Sequence, residues 1–122
     1  MSDAQSPLTP AMFNVLLALA DGDRHGYAIL KDVAGQSAGE VRISTGTLYG
    51  IVKRLLAEGL IVEVRRRPAP EDDDQRRRYY RLTEAGRGVA ASEAGRMEKL
   101  VARARGSRLL ERLPGLGQAS QK

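Results

Sequence analysis

Apolar residues recur along this chain with two different periods. From Thr9 to about Ala20 nearly every side chain is apolar, with Met12, Phe13, Val15, Leu16, Leu17 and Leu19 in one stretch. Thr9 as N-cap with Pro10 at the first helical position predicts a helix start, and Asp21-Gly22-Asp23 predicts its stop. These residues point nearly all round the helix, which therefore wants burial on more than one side. A small domain offers few ways to do that, so part of the helix, with Phe13 and Leu16, is expected to face a second subunit. A second helix fits His25 to about Gln36, with Ile29, Leu30, Val33 and Ala34 on one face and Lys31, Asp32 and Gln36 opposite. Gly35 and Gly39 mark its end, and Val41 to Ile43 reads as a short bridging strand. The third helix is capped by Ser44 and closed by Gly59, and Leu48, Ile51, Val52, Leu55 and Leu56 form its core stripe.

The period then shortens. Leu60 to Arg67 and Arg77 to Thr83 read as two strands, and Pro68-Ala69-Pro70-Glu71-Asp72-Asp73-Asp74 reads as the loop between them. Tyr80 shares a strand face with Leu82 and is expected in the core; Tyr79 shares the other with Arg81 and is expected at the surface. A last helix starts at Thr83, a second N-cap candidate, with Glu84 suiting the positive end of the helix dipole. Met97, Leu100, Val101 and Ala104 give it an apolar stripe at helical spacing. Gly86, Gly88, Gly95 and Gly106 each weaken it by about 1 kcal/mol relative to alanine, so it needs a packing partner. Leu109, Leu110 and Leu113 extend it and Pro114-Gly115 ends it. The expected fold is mainly α with a β-hairpin: a winged helix-turn-helix plus a C-terminal dimerisation helix. The expected division is a disordered start over 1–7, the winged domain over 8–83, the dimerisation helix over 84–113 and a flexible tail over 114–122.

Composition narrows the functional classes. One domain of 122 residues with 20 basic and 15 acidic side chains carries a net charge of +5, which suits a polyanionic partner, nucleic acid or an anionic membrane. Without cysteine there is neither a disulfide framework nor a thiolate metal site, and the one histidine, His25, reads as a turn or packing residue. No metal and no cofactor is expected. The longest apolar run, Val15 to Ala20, is far short of the roughly 20 residues that cross a bilayer. Residues 1–7 contain Asp3 and no basic segment, unlike a signal peptide, so a cytoplasmic protein is expected. There is no glycine-rich phosphate loop, nucleophile elbow or zinc-protease motif, and no enzyme is expected.

The candidate chemistry lies on the third helix and the hairpin. Ser44, Thr45, Gly46 and Thr47 open that helix with backbone N–H groups able to meet a phosphate, and Gly46 lets a backbone approach. Thr45, Thr47 and Tyr49 offer hydroxyls to phosphates or base edges, and Lys53 lies one turn beyond Tyr49. The hairpin carries seven arginines, Arg65, Arg66, Arg67, Arg76, Arg77, Arg78 and Arg81, against the four acids Glu71 to Asp74. The acidic tip would be repelled by phosphates, so the arms, with Arg67, Arg77 and Arg78, are the expected contacts.

These residues resemble the PadR family of bacterial transcriptional regulators. The resemblance runs through His25-Gly26-Tyr27-Ala28-Ile29, Gly46-Thr47-Leu48-Tyr49, the segment from Lys53 to Ile61, the segment from Arg77 to Thr83, and Gly86. It implies a winged helix domain, a homodimer formed through the first and last helices, repression by operator binding, and release by a small effector. Two recognition helices related by a two-fold axis are then expected to read a near-palindrome in double-stranded DNA. The chain looks like the short type with a single C-terminal helix; it has no tryptophan to sandwich a flat ligand, and Thr45 stands where the family often has proline. Met97, Leu100, Val101 and Ala104 join Phe13 and Leu16 as the candidate dimer surface. The alternative classes are a non-specific nucleic-acid binder and a partner-binding module without DNA binding. Sequence preference and salt dependence separate them.

Overall fold

The computed structural model describes residues 8–65 and 78–114. The expected disordered start at 1–7, the loop of the hairpin with Arg67 and Arg77, and the tail beyond Pro114 lie outside the described residues. The elements run α1 (Pro10–Ala18), β1 (Arg24–His25), α2 (Gly26–Gln36), α3 (Thr45–Ala57), β2 (Ile61–Val64), β3 (Tyr79–Leu82), α4 (Glu84–Gly106) and a short 3₁₀ turn (Leu109–Arg112).

Each helix begins where a side chain can take an orphan backbone N–H. Thr9 Oγ1 accepts from Met12 N at 3.1 Å, His25 Nδ1 from Ala28 N at 3.2 Å, and Ser44 Oγ from Thr47 N at 3.0 Å. Thr83 Oγ1 accepts from Gly86 N at 2.9 Å and donates to Gly59 O at 2.7 Å. The single histidine is thus a helix cap.

The strands form an antiparallel sheet in the order β1-β3-β2, with β3 in the centre. Ile61 faces Leu82 and Val64 faces Tyr79 across one ladder; Arg24 faces Tyr80 and His25 faces Tyr79 across the other. This corrects the sequence reading, which gave two strands here and a bridging strand at Val41 to Ile43. Val41 is not in a strand because its backbone is held by Ser37: its N–H donates to Ser37 Oγ at 2.9 Å and its carbonyl accepts from that hydroxyl at 3.2 Å. The edge position goes to Arg24 and His25.

The core joins α1, α2, α3 and the sheet. Met12, Val15, Leu16, Leu19, Ile29, Val33, Leu48, Val52, Leu55, Leu60, Ile61, Tyr80 and Leu82 are all buried in it, and Val89 and Ala90 pack against it. Leu56, counted in the core stripe by its spacing, is 36% exposed. The chain forms two compact units, residues 1–90 and 91–122. The first two turns of α4 therefore belong with the winged unit.

Two helix ends close alike with different residues. After α3, Gly59 adopts φ +75°, its N–H donates to Leu56 O and that of Leu60 to Leu55 O, the double closure of a Schellman turn. After α2, the same pair runs from Ala38 N to Gly35 O and Gly39 N to Ala34 O, but the left-handed position is held by Ala38 at φ 54°. A Cβ there costs about 1 kcal/mol. Ala38→Gly is expected to stabilise the protein by roughly that amount, read as a higher urea midpoint at unchanged slope.

Candidate nucleic-acid interface

The exposed face of α3 is fixed by the face opposite. Leu48, Val52 and Leu55 are buried, and that leaves Thr45, Gly46, Thr47, Tyr49, Gly50 and Lys53 at the surface with the capping Ser44. Ser44 Oγ also donates to Thr47 Oγ1 at 3.1 Å, so the first turn carries an ordered pair of hydroxyls. A Cβ built at Gly50 would meet nothing within 4 Å, and one at Gly46 only Ser44 Oγ at 4.0 Å. Neither glycine is required by packing among the described residues. Arg54 points elsewhere: its guanidinium binds Glu58 Oε2 at 2.8 Å and reaches Met12 Sδ at 3.2 Å.

Tyr49 stands apart from the rest of the strip. Its side chain is 48% exposed, yet its hydroxyl is turned to the start of α2, where a Cβ on Gly26 would lie 2.8 Å from it. Three of the four tyrosines gather round that point. The His25 ring stacks on Tyr27 at 6.5 Å between centroids and meets the Tyr79 ring edge-on at 5.3 Å, and Lys31 Nζ lies 5.6 Å from the centre of Tyr27. The fourth, Tyr80, is buried as expected from strand alternation. Burial pushes its phenol above the ordinary value; Glu63 and Tyr49 add to the rise and Arg78 opposes it.

The described arginines of the hairpin divide into two kinds. Arg65 and Arg78 are exposed, and Arg78 Nε approaches Glu63 Oε2 at 3.7 Å. Arg81 instead grips Asp23 with both ends of its fork, at 2.9 and 3.0 Å. That bond holds its guanidinium charged more firmly than usual. It ties β3 to the turn after α1, and so it anchors the sheet rather than reaching outward. The two partners are 58 residues apart, and no local pattern signals such a pair. The sequence reading missed it, as it missed the close approach at Gly26.

The candidate dimer residues also divide. Leu100 and Val101 on α4 are 57% and 45% exposed, with Met97 and Ala104 half-buried. Phe13 on α1 is half-buried, but Leu16 is 0% exposed inside the winged unit's own core and has no surface to offer a partner. The apolar residue that α1 does expose is Leu17. Among the described residues there is no cluster of metal-ligating side chains, and no helix long and apolar enough to cross a membrane.

The transcriptional regulator PadR-like family matches residues 15–92. A curated relative, an uncharacterized 37.1 kDa protein in transposon TN4556 of Streptomyces fradiae, is 38% identical over 96 residues, 76% of this chain and 24% of that protein. The chain thus spans about a quarter of that relative's length. Among solved structures, Bordetella bronchiseptica BpsR, described with regulation of its DNA binding by 6-hydroxynicotinic acid, shares 25% identity over 94% of this chain and 70% of its own, with a TM-score of 0.66. Bacillus subtilis PadR in complex with operator DNA shares the fold, with 19% identity, a TM-score of 0.60, and coverage of 72% of this chain and 48% of its own.

Proposed function

We propose, since the chain belongs to the PadR-like family of transcriptional regulators, that it is a sequence-specific DNA-binding repressor acting in the cytoplasm as a homodimer. The observation that carries this reading is the face of α3, a strip of hydroxyls and one lysine backed by a fully buried stripe and followed by a winged sheet with exposed Arg65 and Arg78. Serine, threonine and lysine side chains can meet phosphates and base edges in a major groove, and the two bare glycines leave room for the helix backbone to come close. Arg67 and Arg77 extend the same basic surface by their place in the sequence. Two such helices related by a two-fold axis read a near-palindrome with half-sites about one helical turn apart. The exposed Leu100 and Val101 on α4 supply the apolar surface for a second copy. Release by a small effector rests on the likeness to BpsR.

The test is fluorescence anisotropy with the DNA upstream of the protein's own gene against a scrambled duplex, at two salt concentrations. A preference of about a hundredfold, near 2.7 kcal/mol, that persists at the higher salt supports a specific regulator. Equal, strongly salt-dependent binding to both duplexes would turn the reading toward a non-specific binder. Lys53→Ala and Tyr49→Ala are each expected to weaken binding by about 1–3 kcal/mol with the oligomeric state unchanged. Parental affinity in both variants would remove α3 as the reading helix.

A further inference from the structure

Gly26 sits at the first position of α2 and is buried, but its backbone does not need glycine. Among the described glycines, positive φ occurs at Gly22, Gly39 and Gly59, and Gly26 is not one of them. What it lacks is room. A Cβ would lie 2.8 Å from Tyr49 Oη, and 3.4 Å from both Tyr49 Cζ and Leu48 Cδ2. Only the hydroxyl contact is closer than real Cβ atoms come, and it is to the far end of a side chain that can swing away. Alanine at 26 is therefore tolerated by the fold and resolved by moving the Tyr49 ring.

We infer that Gly26 is a positioning residue: by leaving space at the start of α2 it sets where the Tyr49 ring lies on α3, and through that ring the affinity for DNA. This deepens the DNA-binding reading above and rests on it. The ring stands on α3 with Gly26 of α2 under its hydroxyl, and the side chain of the buried Leu48 borders the same space. Swinging it out of that seat displaces it across the exposed strip of α3, where Thr45, Thr47 and Lys53 lie. A contact surface held to DNA by fixed geometry loses affinity when one member moves, even with every residue still present.

Four proteins test this: the parent, Gly26→Ala, Tyr49→Phe, and the two changes together. Each is measured for affinity to the duplex the parent prefers, for melting temperature, and for near-ultraviolet circular dichroism. With no tryptophan and four tyrosines, that spectrum is dominated by the tyrosine environments. Gly26→Ala is expected to keep a cooperative melt, change the near-ultraviolet spectrum and weaken DNA binding about tenfold, the scale of one disturbed contact. In the Tyr49→Phe background, where the 2.8 Å contact no longer exists, adding Gly26→Ala should change affinity less than about twofold. Equal losses in both backgrounds, or none in the parent, would overturn the inference. Should the parent bind no duplex at all, the DNA reading fails. The seat of the ring is then judged by the spectra alone, where a change on Gly26→Ala that persists unchanged with phenylalanine at 49 would overturn it too.

Discussion

Gly86→Ala is expected to destabilise the protein by about 3 kcal/mol or more. Helix propensity alone gives the opposite sign, since alanine in a helix interior is favoured over glycine by about 1 kcal/mol. The structure decides against propensity. A Cβ at position 86 would lie 2.0 Å from Leu60 O and 2.9 Å from both Leu60 C and Leu82 Cδ1. Unlike the hydroxyl at Gly26, the obstacle is backbone, and it is already committed: Leu60 O accepts from Thr83 N at 3.1 Å, and Leu60 N closes α3 on Leu55 O at 2.9 Å. Relief would require the first turn of α4 to lift from the α3–β2 connection, breaking the Thr83 bonds to Gly59 and Gly86. At 4–8 °C per kcal/mol for a domain of this size, the melting temperature should fall by roughly 12 °C or more. A variant that melts at or above the parent would mean that α4 does not dock through Gly86.

Removing residues 91–122 should leave a folded monomer that binds a palindromic duplex at least about a hundredfold more weakly than the parent. The winged unit to Ala90 contains the buried core of the described residues, so its fold is expected to survive the cut. The removed segment carries Met97, Leu100, Val101 and Ala104, and two of these are largely exposed in a single chain. If they join two copies, the second recognition helix binds at the effective concentration set by the first, and the cut abolishes that gain. Light scattering and anisotropy on the truncated chain measure both effects. A truncated chain that still scatters as a dimer would assign the main interface to another surface, with the exposed Leu17 of α1 as the first to examine.

Much of this was legible in the sequence wherever the cause is local. Thr9, Ser44 and Thr83 cap the helices they were expected to cap, because a hydroxyl ahead of an apolar period acts within three residues. The stripe Leu48, Val52 and Leu55 is buried as its spacing requires, and strand alternation separates Tyr80 from Tyr79. What failed to show depends on distant neighbours. Leu56 shares the stripe's spacing but lies at its edge. Leu16 looked free only because an all-round apolar helix does not say which side its own subunit covers. Two residues after Asp21-Gly22-Asp23 become a strand only because β3, more than fifty positions later, lies beside them. Ala38 takes the left-handed position although glycines lie nearby at 35 and 39, since the hydrogen bonds, and not the residue type, fix where α2 closes. Of the candidate interface, the α3 strip was readable as a surface, but the seat of Tyr49 and the engagement of Arg81 were not.

The Arg81–Asp23 pair bears on how the protein looks to a nucleic acid from a distance. Counted by residue, the hairpin is a dense source of positive potential. With its guanidinium locked to a carboxylate by two bonds, Arg81 presents a dipole, and a dipole's field dies away faster with distance than a charge's. A polyelectrolyte sheds roughly one counterion for each phosphate it surrenders to a free cation, and Arg81 must first give up Asp23 to claim one. The logarithmic slope of affinity against ionic strength should therefore report fewer contacts than the arginine count suggests, and removing Arg81 should loosen the sheet while leaving that slope nearly where it was.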